Sequence, residues 1–394
     1  MADGAVHRVS GTVGFWQSRG VCPLARARGF PTLTWLFADS GGRSVFRLIL
    51  FALFMTALVF LLAACGRIQS QPAGPPVQEP VLSDREAVMA DGYVLPIQRW
   101  ETHEPTADVI LGVHGFGDHG GAFAVLSEAL VAPGLATIYA YDQRGFGATR
   151  QPGIWPGGDT LVGDLRSVTD LLRVRYPERS LYLIAESMGG AVALRALTET
   201  PGLDVDGAVL LAPAVWGADT MPWYQRLGLW IMLRIAPGAA VPGEAADWLG
   251  FRATDDREVM EALNEDPLVY RTARVDTLRG LTRLMGEALL HPHRLDDSVL
   301  VLYGLKDHVI PPGPVCAWWE RLAEEAGDAR PRIALYPEGY HMLTRYLGAD
   351  DTLSDIASWI DDPEAELPAG EGLPLEAARD RVCALPPRGD WTGP

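Results

Sequence analysis

The stretch Leu181-Tyr-Leu-Ile-Ala-Glu-Ser-Met-Gly-Gly190, continued by Ala-Val-Ala-Leu-Arg-Ala-Leu, leaves the backbone few options. A short apolar run reads as a buried strand, and the small and aliphatic residues after it read as a helix with no room for a loop between them. The chain must therefore reverse in a tight turn centred on Ser187. Such a turn lifts the serine hydroxyl off the sheet edge onto a helix N-terminus, and it needs small neighbours because the backbone is crowded there. The pattern is Ala-x-Ser-x-Gly, with Ala185 at its first position.

The surrounding sequence sets this turn in an α/β architecture, because short β-rich runs alternate with longer amphipathic segments from about 83 to 360. Core strands are expected at Val109–Val113, Ala136–Tyr141, Leu181–Ala185, Ala208–Leu211, Val299–Tyr303 and Ile333–Tyr336. A hairpin around Asp91-Gly92 precedes them, with strands near Glu86–Met89 and Tyr93–Trp100. Helices are expected near Gly121–Val131, Thr160–Tyr176, Ser187–Thr200, Gly313–Ala326 and Thr352–Ile360. In the second of these, Leu161, Leu165, Val168 and Leu172 form one apolar stripe. The expected fold is a mostly parallel sheet with flanking helices. A mostly helical cap (214–295), rich in Trp216, Trp223, Tyr224 and Trp230, is inserted after the sixth strand. The core is then split into 83–213 and 296–362, and 363–394 is a loosely packed acidic Pro/Gly-rich tail.

A nucleophilic serine needs a base to take its proton and a carboxylate to orient that base; on an elbow of this kind the chain order is serine, acid, histidine. Asp307 follows the strand Val-Leu-Val-Leu-Tyr, and His341 follows the last core strand, so both fall on the same sheet edge as Ser187. Seven other histidines compete for the role of base. His7 lies in the leader, His103 precedes the first parallel strand, and His291 and His293 flank a proline at the cap exit. His114 and His119 belong to the turn after the first parallel strand, and His308 adjoins the acid. Position in the chain order selects His341. Donors for a developing oxyanion are expected from the backbone N–H groups of Phe116, in the turn His114-Gly-Phe-Gly-Asp-His119, and Met188. No metal or organic cofactor is expected.

Taken together, His114-Gly-Phe-Gly-Asp-His-Gly120, Asp142-Gln-Arg-Gly-Phe-Gly147, Glu186-Ser-Met-Gly-Gly190, Asp307 and His341 resemble the α/β-hydrolase family. Within it they resemble the monoacylglycerol lipase or lysophospholipase branch, which is grouped with serine aminopeptidases. The resemblance implies that Ser187 attacks an ester, that His341 acts as base and then acid, and that Asp307 orients it. It also implies that the cap is a lid over an acyl pocket. Three features depart from the branch or are shared beyond it: Ala185 replaces the usual glycine, Asp118 stands where the branch often has Glu, and the Asp-Gln-Arg-Gly string also occurs in proline iminopeptidases. The expected function is hydrolysis of monoacylglycerol- or lysophospholipid-type esters. An aminopeptidase or amidase with the same triad, or a catalytically idle lipoprotein that binds partners, are the alternatives.

Of the 394 residues 33 are Lys or Arg and 50 are Asp or Glu, a net charge of −17, which argues against a nucleic-acid partner. Residues 1–64 hold six Arg and two Asp, net +4, leaving −21 for the rest. Within this basic leader, Leu48–Ala64 is seventeen residues with Thr56 as the one polar member, and Leu62-Ala-Ala-Cys65 ends it in the form of a bacterial lipobox. Cys65 is then the lipidated first residue of an exported, membrane-attached protein, with an uncleaved signal anchor as the alternative. Initiation at Val45 would give the signal an ordinary length. Residues 65–82 read as a solvated Pro-rich tether. Cys316 and Cys383 are left as a pair that an oxidising compartment would allow to bridge, or as two free thiols.

Overall fold

The computed structural model describes residues 47–53, 55, 67–243, 252–291, 294–325 and 330–386. The chain divides into two units, Met1–Val59 and Phe60–Pro394. In the first, 47–53 and residue 55 are helical. Among the described residues no helix is long and apolar enough to cross a membrane.

In the second unit, ten strands form one sheet. In chain order they are β1 (Val81–Leu82), β2 (Glu86–Val88), β3 (Val94–Trp100), β4 (Asp108–Val113), β5 (Ala136–Tyr141), β6 (Leu181–Glu186), β7 (Gly207–Leu211), β10 (Val299–Gly304), β11 (Arg332–Tyr336) and β12 (Gly372–Leu373). β8 (Ala240–Pro242) and β9 (Thr272–Arg274) pair separately within the cap. The sheet runs β1-β2-β3-β5-β4-β6-β7-β10-β11-β12. Its six middle strands are parallel, and antiparallel pairs close both ends. Strands such as Ala-Thr-Ile-Tyr-Ala-Tyr and Gly-Ala-Val-Leu-Leu are buried along their whole length, because helices cover both faces. β4 lies between β5 and β6, so the strand order reverses there. The loops leaving β4 and β6 therefore emerge side by side at the carboxyl edge, where open α/β sheets place their sites.

The helices are α1 (Gly158–Arg175), α2 (Met188–Thr198), α3 (Trp223–Ile235), α4 (Arg257–Glu265), α5 (Val275–Glu287), α6 (Pro312–Glu325), α7 (Ala349–Asp361) and α8 (Leu375–Cys383). The stripe expected on α1 is buried throughout. The segment expected as one helix over Gly121–Val131 is instead a 3₁₀ stretch, Gly120–Val125, followed by a π turn, Ser127–Val131. Asp142 accepts from the Gly120 N–H at 2.8 Å and the His119 ring from Gly121, so the entry is pinned tighter than an α-helix allows.

Three expectations are corrected. The added β1 makes the strand before the cap the seventh, and the cap carries the β8–β9 pair beside its helices α3, α4 and α5. The tail is not loose over 363–386: β12 pairs with β11, and Leu375, Ala378 and Val382 are buried on one stripe of α8, which a Cys316–Cys383 disulfide ties to α6. Acidic residues and prolines masked that stripe in the sequence. Nor does the tether hang free from Gln69 onward. The N–H of Gln69 donates to Asp276 at the cap base (3.1 Å), and that of Gln71 to the Trp155 carbonyl (3.0 Å). The Gln71 amide donates to the Gln151 and Ile154 carbonyls at 2.9 and 2.6 Å and accepts from the Tyr93 hydroxyl, leaving the residue 9% exposed. Ala73 and Gly74 bond Thr160 and Asp91.

Candidate active site

Ser187 occupies the tip between β6 and α2 at φ 53°, ψ −115°, a region that side chains rarely adopt. Small residues make the turn possible. A methyl on Gly189 would collide with the carbonyl oxygens of Val113 and His114, and one on Gly190 would press on Pro213 at 2.8 Å. Ala185, the departure from glycine, is fully buried in the sheet, where its methyl joins the core.

Asp307 leaves β10 and His341 follows β11, and the structure brings both to Ser187. His341 Nε2 lies 2.9 Å from the Ser187 hydroxyl, and His341 Nδ1 lies 2.8 Å from Asp307 Oδ2. The other Asp307 oxygen accepts the N–H groups of Val309 and Ile310 at 2.7 and 2.9 Å, so the carboxylate cannot swing away. With Asp307 as acceptor, Nδ1 carries the ring proton and Nε2 is left to accept from the serine. Burial works against a charged His341. The negative charge of Asp307 and its hydrogen bond outweigh that, Glu186 adds to them and Arg345 opposes, so the imidazole is held above its ordinary value of 6.5. The arrangement has the parts to pass a proton from serine to histidine and back.

Of the expected oxyanion donors, Met188 directly follows Ser187 and Phe116 follows Gly115, which packs on the elbow. Met188 is the first residue of α2, whose leading N–H groups have no partner within the helix. Gly115 packs so closely on the elbow that a methyl there would meet Ser187 Cβ at 3.3 Å, which puts the Phe116 backbone next to the nucleophile. His114 holds this turn: its Nε2 accepts the Gln143 N–H (2.9 Å), which leaves Nδ1–H to donate to the Gly115 carbonyl (2.8 Å). Burial pushes His114 below its ordinary value, consistent with a neutral ring committed to structure. His119 bonds Asp266 of the cap at 3.0 Å, and the His308 ring meets Tyr340 edge-on. Cys65 and His293 lie outside the described residues.

Sequence reasoning missed a second layer. Arg345, four residues past His341, is largely withdrawn from solvent, and its Nη2 donates to Asp118 Oδ2 (2.8 Å) and to Glu186 Oε2 (2.9 Å). The signal was available, since both carboxylates and the arginine sit inside or beside the motifs. Their pairing is set by the tertiary fold. The Asp142-Gln-Arg-Gly string is likewise structural. Arg144 is clamped between Asp91 (2.7 Å) and Asp164 (2.9 Å) and lies 4.0 Å above the Tyr93 ring, while Asp142 accepts from Gly120 and Ala148.

Residues 104–345 match the family described as "Serine aminopeptidase, S33". Human monoglyceride lipase is 24% identical over 304 residues, covering 74% of this chain and 95% of that protein. Two solved structures share the fold. The monoacylglycerol lipase of Paleococcus ferrophilus has a TM-score of 0.54 at 23% identity, covering 68% of this chain and 98% of that one. A soluble variant of monoglyceride lipase from Saccharomyces cerevisiae, in complex with a substrate analog, has a TM-score of 0.55 at 19% identity, covering 75% and 97%. With a family match over more than half its length and a fold shared with these structures, this chain belongs to the S33 serine aminopeptidase family of α/β-hydrolases.

Proposed function

We propose that the protein is a serine hydrolase that cleaves monoacylglycerol- or lysophospholipid-type acyl esters through an acyl-enzyme on Ser187. The observation that carries this reading is the unbroken chain Asp307–His341–Ser187, with both links at 2.8–2.9 Å. His341 takes the hydroxyl proton as Ser187 attacks the ester carbonyl, the N–H groups of Phe116 and Met188 receive the oxyanion, and His341 returns the proton to the departing alcohol. Water then repeats the cycle on the acyl-enzyme.

A lipid-like substrate is supported by the names of the relatives and by the cap. On α3, Trp223 is 73% and Trp230 52% exposed; with Tyr224, Leu227 and Ile231 they give the cap an uncovered apolar surface. α3 holds two arginines and no acidic residue. In the same reading Cys65 carries a lipid anchor and the protein is exported. The Cys316–Cys383 bridge, a bond typical of oxidising compartments, supports that location.

The family description favours one competing reading, an aminopeptidase or amidase using the same triad. Purified protein given a panel of p-nitrophenyl acyl esters, monoacylglycerols and aminoacyl arylamides separates the two. Ester turnover that disappears in Ser187→Ala is expected. Release of arylamine without ester turnover would select the amidase, and a Ser187 inert to a fluorophosphonate probe would select an idle binding module.

A further inference from the structure

We propose that Arg345 is a positioning residue of the catalytic site: by bridging Asp118 and Glu186 it locks the oxyanion turn, the nucleophile elbow and the histidine loop into one register, and it offsets the Glu186 charge that faces His341. The inference rests on the reading of Ser187 as nucleophile and goes beyond the triad.

The three loops leave different strands, and each carries one reacting part. Asp118 is two residues past Phe116, Glu186 directly precedes Ser187, and Arg345 is four residues past His341. One guanidinium nitrogen, Nη2, reaches both carboxylates, at 2.8 Å to Asp118 and at 2.9 and 3.3 Å to the two Glu186 oxygens. Asp118 and Glu186 are buried and Arg345 is largely so, with side-chain exposures of 9%, 6% and 11%. Buried ions are held only where they are paired, so two carboxylates around one guanidinium form a unit that none of the three can leave cheaply. The backbone continues the tie: the Thr254 hydroxyl of the cap donates to the Arg345 carbonyl (2.6 Å), and Met342 N–H to the Ala253 carbonyl (2.9 Å).

The charges around the site are arranged accordingly. His341 faces Asp307 from the β10 loop, Glu186 from the elbow and Arg345 from its own loop. Asp118 faces Arg345 and His114, and His114 faces Asp142 from the β5 loop. On the cap side Asp266 is bonded to His119. Glu186 alone would stabilise the imidazolium and so make His341 a poorer acid to the leaving alcohol; Arg345 restrains that effect. A lysine could supply the charge but is a single point on a flexible stem.

The test compares four proteins by steady-state kinetics from pH 5 to 9 on one soluble acyl ester, with folding checked by near-ultraviolet circular dichroism. Glu186→Gln, which keeps the shape and removes the charge, is expected to move the acid limb of kcat/KM to lower pH by about half a unit. Arg345→Met is expected to lose about 100-fold in kcat with little change in KM, the cost of a reacting group misplaced by about 1 Å. Arg345→Lys is expected to recover part of that loss. A Glu186→Gln profile that superimposes on the wild type, or an Arg345→Met protein with undiminished kcat, overturns the inference. If Arg345→Met does not fold, the Glu186→Gln profile decides. Wild-type protein that turns over no ester and ignores a fluorophosphonate counts against the nucleophile assignment itself, which is a different failure.

Discussion

Ser187 is the residue at which local geometry and chemistry are hardest to separate. Its backbone strain is tolerated because Gly115, Gly189 and Gly190 let three segments approach within contact distance. Its hydroxyl is thereby placed 2.9 Å from a base whose own proton is fixed by Asp307. Replacing Asp307 by Asn would keep the shape but favour the wrong imidazole tautomer, and a loss of about 10⁴-fold in kcat is expected, measured on the ester that the wild type turns over best. The sign of the pH effect also follows. His341 must be neutral to accept the serine proton, and its neighbours hold it above 6.5, so activity falls as pH drops through a point above that value. A pH–rate profile with its acid limb below 6.5 would contradict this. Ser187, Asp307 and His341 were legible in the sequence because each follows a core strand in a fixed chain order. Arg345 was not: its pairing depends on partners 159 and 227 residues away.

At the scale of elements, legibility followed periodicity. α1 carries a clean apolar stripe and was found to within two residues at its start, whereas Gly120–Val131 has two glycines and an entry fixed by Asp142, a contact no local pattern encodes. α8 was overlooked for a different reason. Three buried residues among charged neighbours are a weak signal until β11 and α6 are present to receive them. The Cys316–Cys383 bridge closes a 67-residue separation around β11 and α7, and removing it is expected to cost about 2–5 kcal/mol. Urea denaturation of the Cys316→Ser/Cys383→Ser protein checks this, and an unchanged midpoint would show that packing alone holds α8. The Arg144 clamp makes a second element-level prediction. Burial pushes Asp91 up, but Arg144 and the N–H groups of Gly74 and Tyr93 outweigh it and hold the carboxyl down at about 2. Because its folded value lies below the ordinary 3.8, the stabilisation is complete above that value and is lost as pH falls from 3.8 towards 2. An Asp91→Asn protein should therefore show a shallower decline of unfolding free energy across that window than the wild type.

For the whole molecule, the net charge of −17 is the sum of a basic leader at +4 and a body that is −21 from residue 65 onward. Under the proposed export reading, Cys65→Ser should abolish incorporation of radiolabelled palmitate and leave the precursor uncleaved, as seen by intact mass. Labelled, cleaved product from the variant would defeat the lipobox assignment. The strap at Gln69–Gly74 then changes what an anchor would mean for this enzyme. Gln69 is bonded to Asp276, and Asp276 bonds in turn to the Pro237 carbonyl, two residues past the end of α3. Only residues 66–68 lie between Cys65 and that fixed point, and four peptide steps reach about 14 Å when fully extended. On so short a leash the hydrolase would pivot against the bilayer and not roam above it, with the base of its cap always the part nearest the lipid.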